Sequence, residues 1–353
     1  MKFKRSRSPL LIGAVVLLCV SAVLIYLAVS GKTRTATNAP ETITETPTST
    51  PVMLVPRRLD GVLVPEGQEA IAPRAVMVEN FPDARPLSGP ALANVAIEAP
   101  VEGGITRFVL FFDASTTVPE IGPVRSARPY YIDWAKAWDA SYFHVGGSPD
   151  ALQKIKVLGT AFANIDEMRT GDSFWRSTGR TAPHNTYTSQ DLMTQTLLNK
   201  GYASGTAAIS WHFQDAATST KRGDTLTVKI PYGGSYNVTW KYDKDRGVYQ
   251  RSQAGTLQTD KDGTPVESEN VIVIKTDAQV LDTVGRLKVR TVGSGDAIVY
   301  RDGNKYIMRW RRSADEPIKF ESTDGSEFLL TRGRTWIEVT TDDRIFAGLD
   351  VKK

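Results

Sequence analysis

The chain has 353 residues, of which 43 are basic and 39 acidic, with one cysteine and three histidines. Setting aside Lys2, Lys4, Arg5 and Arg7, which precede the first apolar run, leaves 39 basic against 39 acidic residues. This neutral balance excludes nucleic acid as a partner, because binding a phosphate backbone requires a basic surplus. The lone Cys19 excludes disulfides, a thiol nucleophile and a Cys-based zinc site from everything downstream.

Residues 10–29 form an apolar run free of charge. About 20 residues at ~1.5 Å rise cover the ~30 Å core of a bilayer. The run predicts a single transmembrane anchor, with residues 1–9 as a cytoplasmic tail by the positive-inside rule. The expected location is the cell membrane, single-pass, with the C-terminal region extracytoplasmic. Small residues at Ala28, Ser30 and Gly31 leave a cleaved signal as the alternative. Leu17-Leu18 before Cys19 lack the small residues that a lipidation signal needs. Residues 30–56, rich in Thr and Pro, predict a disordered stalk.

From 57 to 202, apolar strand segments alternate with helix patterns. Strands are expected at 75–78, 95–98, 105–112 and 141–145, and the run 105–112 has the nearly continuous apolar character of a strand buried on both faces. Helices are expected at 128–138, 150–158 and 190–200, the last two ended by Gly159 and Gly201. Residues 203–224 are a boundary segment. From 225 to 345 short alternating segments dominate, many separated by Gly-Gly or Asp-Gly pairs that signal hairpins. The fold class expected is therefore an α/β ectodomain followed by an all-β domain, behind one transmembrane helix.

Chemistry-bearing residues gather at chain turns. In the run 145–150, two glycines (Gly146, Gly147) precede Ser148 at a helix N-cap position and Pro149 at the first helical position. Such a helix start can hold an anion, and equally Ser148 can serve as a cap alone. Arg125 and Arg128 lie before Pro129, a second helix start; a guanidinium fork suits carboxylate and phosphate, while internal ion pairs to Glu98 or Glu102 would consume the same side chains. Arg107 interrupts an apolar strand, must be paired or reach an edge, and is expected to pair with Glu98 or Glu102. Candidate acid–base groups are Glu98, Glu102, His144 and His184. No paired-histidine motif exists, so no metal site and no cofactor is expected.

These segments resemble a family. The runs ENFPDARPLSG (79–89), VEGGITRF (101–108), IGPVRSARP (121–129) and HVGGSPD (144–150), with WKYD (240–243), YQR (249–251), NVIV (270–273) and RTWIEV (334–339), are similar to the YerB-like lipoprotein family over residues 58–341. The resemblance implies an envelope protein with N- and C-terminal domains of unknown function, and no reaction to carry over.

The functional expectation is a membrane-anchored extracytoplasmic protein that binds an anionic envelope ligand, or an envelope protein, through Arg107, Arg125, Arg128 and the turn Gly146, Gly147 and Ser148. The alternative is an envelope hydrolase or a glycopolymer or phosphoryl-type transferase, which requires the glutamates and histidines to converge in one cleft.

Overall fold

Strands from both halves of the chain enter one sheet. The computed structural model describes residues 53–202, 205–208, 211–224 and 227–350, all within the unit Val52–Lys353. Fifteen strands carry the argument: β1 Arg74–Glu79, β2 Val95–Pro100, β3 Thr106–Phe112, β4 Ser141–His144, β5 Asn164–Asp166, β6 Thr227–Ile230, β7 Val238–Asp243, β8 Val248–Gln253, β9 Thr256–Leu257, β10 Glu267–Ser268, β11 Asn270–Lys275, β12 Gly293–Arg301, β13 Asn304–Arg312, β14 Lys319–Glu321 and β15 Thr335–Thr340. The helices used below are α1 Pro129–Ala137, α2 Pro149–Leu158 and α3 Gln190–Lys200.

The central sheet has ten strands in the order β14-β13-β12-β11-β15-β2-β3-β1-β4-β5. Its middle is the point of interest. β15, near the C-terminal end, runs parallel to β11 on one side and to β2 on the other. Thr335, Trp336, Ile337 and Glu338 lie opposite Val95, Ala96, Ile97 and Glu98. Every residue of β1, β3 and β15 is buried, as strands covered on both faces must be. Alternate residues of one strand leave opposite faces. Met77, Ile97, Val109 and Phe111 pack in one core with Tyr131, Trp134 and Trp138 of the α1 region. Val78, Ala96, Phe108 and Trp336 pack in a second core with Trp240 and Tyr249.

Those last two residues belong to a smaller sheet, β6-β7-β8-β9 with β10 paired to β8. In β6 and β7, residues alternate between buried and more exposed, the mark of a sheet with one face on the core. α3 joins the same side through Met193 and Leu197. The helix boundaries follow local chemistry. Pro opens α1 and α2, Ser148 Oγ accepts from the Ala151 N–H (3.3 Å), and Ser189 Oγ accepts from the Leu192 N–H (3.2 Å).

This architecture corrects the expected fold class. There is no α/β unit followed by a separate all-β unit. The structure is β-rich, and the two halves share one sheet across the β15–β2 seam. The physical reason is that β2 is buried on both faces and cannot stand as a sheet edge; β15 supplies its missing neighbour. In the segment expected as a boundary, Trp211 is buried with its Nε1–H on the Ile318 carbonyl (2.7 Å), and His212–Gln214 pairs with Leu329–Thr331. The expected anchor at 10–29 and most of the stalk at 30–56 lie outside the described residues; Leu54–Pro56 pairs with Leu63–Pro65. Among the described residues no helix is long and apolar enough to cross a membrane, so the single-span part of the expectation has no support.

Candidate functional site

The face alternation sorts the charged residues first. Glu98 leaves β2 on the side of Trp336 and Phe108, whereas Arg107 and Glu79 leave β3 and β1 on the opposite side, in register with each other. Glu98 and the arginines are therefore on different faces of the central sheet.

On the Arg107 side a cluster forms where β1, β3 and the segment before α1 meet. Arg128 makes a two-pronged bond to Glu102, Nε–Oε1 2.6 Å and Nη2–Oε2 2.8 Å. Burial by itself would raise the Glu102 carboxyl, but this clamp holds it below its usual range. Arg125 Nε stands 3.5 Å from Glu79 Oε2, and its Nη1 donates to the Pro183 carbonyl at 3.4 Å. Glu79 Oε2 also meets His184 Nδ1 at 2.8 Å, and the His184 ring stacks on Phe81 at 5.3 Å. Arg107 donates to the Ser126 carbonyl (3.0 Å) and makes no ion pair among the described residues. Burial, followed by the charges of Arg128 and Arg125, pushes the Arg107 guanidinium down to about 10. Three guanidinium groups thus face two carboxylates, an excess of one positive charge.

The glycine turn runs alongside. Ala127 and Gly147 form a bridge, the Val145 N–H donates to the Arg125 carbonyl (3.0 Å) and the Ser148 N–H to Ala127 (3.2 Å). The Gly146 N–H, at positive φ (56°), is taken by Asp166 Oδ1 at 2.7 Å. A Cβ on Gly147 would meet Leu152 at 3.2 Å and Ala127 at 3.4 Å, so this glycine lets α2 approach closely. His144 is fully buried, with Nδ1 on the Gly146 carbonyl (2.6 Å) and Nε2 on Asn164 Oδ1 (2.7 Å). It fastens β4 to β5 and the turn.

The structure therefore brings Glu102, Arg107, Arg125, Arg128 and His184 together, sets the turn beside them, and puts Glu98 elsewhere. Arg107 does not pair with Glu98 or Glu102, contrary to expectation, because Glu98 faces the other way and Glu102 is held by Arg128. Glu79 is the site residue that sequence reasoning passed over. Its one signal was a carboxylate directly after the apolar run 75–78.

Glu98 meets a different set of partners. Arg251 of β8, fully buried, bonds Glu98 and lies 3.7 Å from Glu338 Oε1. Its guanidinium stacks over Trp336 at 5.0 Å and Phe108 at 5.5 Å. Glu98 Oε1 also accepts from Thr106 Oγ1 (2.5 Å) and Asn80 Nδ2 (3.2 Å), and Glu338 accepts from Trp240 Nε1 (2.8 Å) and Tyr232 OH (3.1 Å). Burial and the adjacent Glu98 charge push Glu338 up to about 8. This joint ties β2, β15 and the smaller sheet together. A cleft of about 280 Å³ opens at another place, lined by Ser88, Leu92, Glu120, Asp260 and Lys261. There Asp260 accepts the Gly89 N–H (2.8 Å), and burial raises its carboxyl to about 7.

A ten-stranded sheet completed by a C-terminal strand, a buried Glu–Arg–Glu joint and an arginine cluster at one strand end define a two-part protein whose halves form one body. The chain belongs to the DUF3048 family. It matches "Protein of unknown function (DUF3048) N-terminal domain" over residues 59–203 and the DUF3048 C-terminal domain over 228–337. It is 32% identical over 278 residues to "Putative lipoprotein YerB" of Bacillus subtilis, an alignment covering 76% of this chain and 81% of that protein. The crystal structure of YerB protein from Bacillus subtilis is similar at 29% identity with a TM-score of 0.73, covering 82% of this chain and 97% of that one.

Proposed function

We propose that this chain is an extracytoplasmic, membrane-associated envelope protein that binds an anionic ligand through Arg107 and Arg125, with Arg128 held on Glu102 beside them, next to the turn at Gly146, Gly147 and Ser148. The location rests on the relative's designation as a lipoprotein. The single observation behind the binding site is Arg107: it is buried, lacks an ion pair among the described residues, and sits close enough to Arg125 and Arg128 for their charges to depress it. A buried cation with no carboxylate in direct contact is costly, and a bound anion would supply that contact. Arg125 is the more accessible partner, with its side chain about a quarter exposed at 23%.

The test is titration with inorganic phosphate, followed by calorimetry. Replacing Arg107 and Arg125 by Gln should weaken binding at least about tenfold, near 1.4 kcal/mol; unchanged affinity in a folded double variant refutes the assignment. The second reading, a hydrolase or transferase, keeps only His184 of its expected groups, since Glu98 lies on the opposite face, Glu102 is held by Arg128 and both His144 ring nitrogens are engaged; one contact favours it, Glu79 orienting the His184 ring as a carboxylate orients a general base. It requires turnover of an anionic ester that disappears in His184→Gln.

A further inference from the structure

Glu79 and Arg107 lie directly opposite each other on β1 and β3 and leave the sheet on the same face. Opposite charges so placed ordinarily join. These two do not: among the described residues Arg107 has no ion pair, and Glu79 Oε1 has no hydrogen-bond donor although the residue is only 2% exposed. Glu79 uses its other oxygen, Oε2, for His184 and Arg125. One buried cation and one buried acceptor atom are thus left open within a single cluster. Buried polar atoms in folded proteins are nearly always satisfied, and an orphaned one asks for an explanation. Arg125, with contacts at 3.4 and 3.5 Å, is the most loosely held of the three arginines.

We propose that the arginine site takes a small monoanion carrying a hydroxyl proton donor beside its anionic group, with the anion on Arg107 and Arg125 and the donor on Glu79 Oε1. This rests on the anion-site reading above and adds the ligand's second half. The charge count agrees. Arg128 is spent on Glu102, so Arg107, Arg125 and Glu79 leave one positive charge, which one negative charge cancels. The donor discriminates, because a site with a buried unpaired acceptor rejects an analogue that cannot fill it.

Lactate and propionate share a carboxylate and differ by one hydroxyl, so they are the probes, with inorganic sulfate, which has no proton donor, as the control anion. Binding to the full-length chain is followed by amide NMR shifts. Lactate is expected to bind at least tenfold more tightly than propionate, and Glu79→Gln to cut that preference below threefold while propionate binding is kept. Equal affinities for lactate and propionate overturn the donor half and leave the anion site standing. Sulfate binding with neither carboxylate bound also overturns it. Silence from all three probes removes the anion site, and this inference with it. If Glu79→Gln fails to fold, the wild-type comparison of lactate with propionate still decides.

Discussion

Arg251 shows at the scale of single residues how this fold uses charge. It is wholly buried between two carboxylates, Glu98 and Glu338, on neighbouring strands from opposite halves of the chain. Such a triad contributes modestly when complete, but removing one member leaves uncompensated charge in the core. Arg251→Met should therefore cost about 3–5 kcal/mol, read as the shift in a urea unfolding midpoint. Glu338 carries a second consequence. Its folded carboxyl, raised to about 8 by burial and by Glu98, holds a proton that an unfolded chain with an ordinary carboxyl near 4.5 releases earlier. Its contribution is then fully present below that unfolded value and is lost as pH rises through about 8. Asp260, raised to about 7 from 3.8, acts in the same direction. Thermal midpoints should fall between pH 5 and 9, and Glu338→Gln should flatten the upper part of that fall. A wild-type midpoint that climbs with pH would contradict this.

The elements were largely legible, because their signals are local. The apolar run expected as a strand at 105–112 is Thr106–Phe112, buried throughout. The helix expected at 150–158 is Pro149–Leu158 with Ser148 as its cap, and the one expected at 190–200 ends at Gly201 in the left-handed conformation. Caps, prolines and glycines act within four residues, so a linear reading can find them. Ser148→Ala should cost about 1 kcal/mol through the lost cap on α2. It should leave phosphate affinity at the arginines unchanged, because Ser148 Oγ is spent on the Ala151 N–H. A loss of binding equal to that of the arginine variants would place Ser148 on the ligand itself.

For the whole molecule, the seam between β2 and β15 sets the behaviour. A fragment of residues 53–224 would retain β2 but lack β11 and β15, exposing an apolar strand edge in the middle of the sheet. Expressed alone it should be unfolded or aggregated, seen as collapsed amide NMR dispersion. Mixing it with residues 225–353 should restore the dispersed spectrum if the seam is the joint described. A fragment that folds by itself with native dispersion would show that the halves are independent after all.

The linear order of residues by itself determined the neutral balance, the absence of disulfides, the positions of most strands and helices, and the family, because each depends on composition or on neighbours a few positions apart. It also drew Arg125, Arg128, Glu102 and His184 to notice, since charges at turns stand out from their surroundings. Only the tertiary structure decided that β15 lies beside β2, that Glu98 faces Arg251 while Arg107 faces the other side, and that Glu79 belongs with His184. Parallel pairing of strands about 240 positions apart leaves no local trace, and a one-residue change in register moves every side chain to the other face of the sheet. Which charges meet is therefore settled by strand order and register.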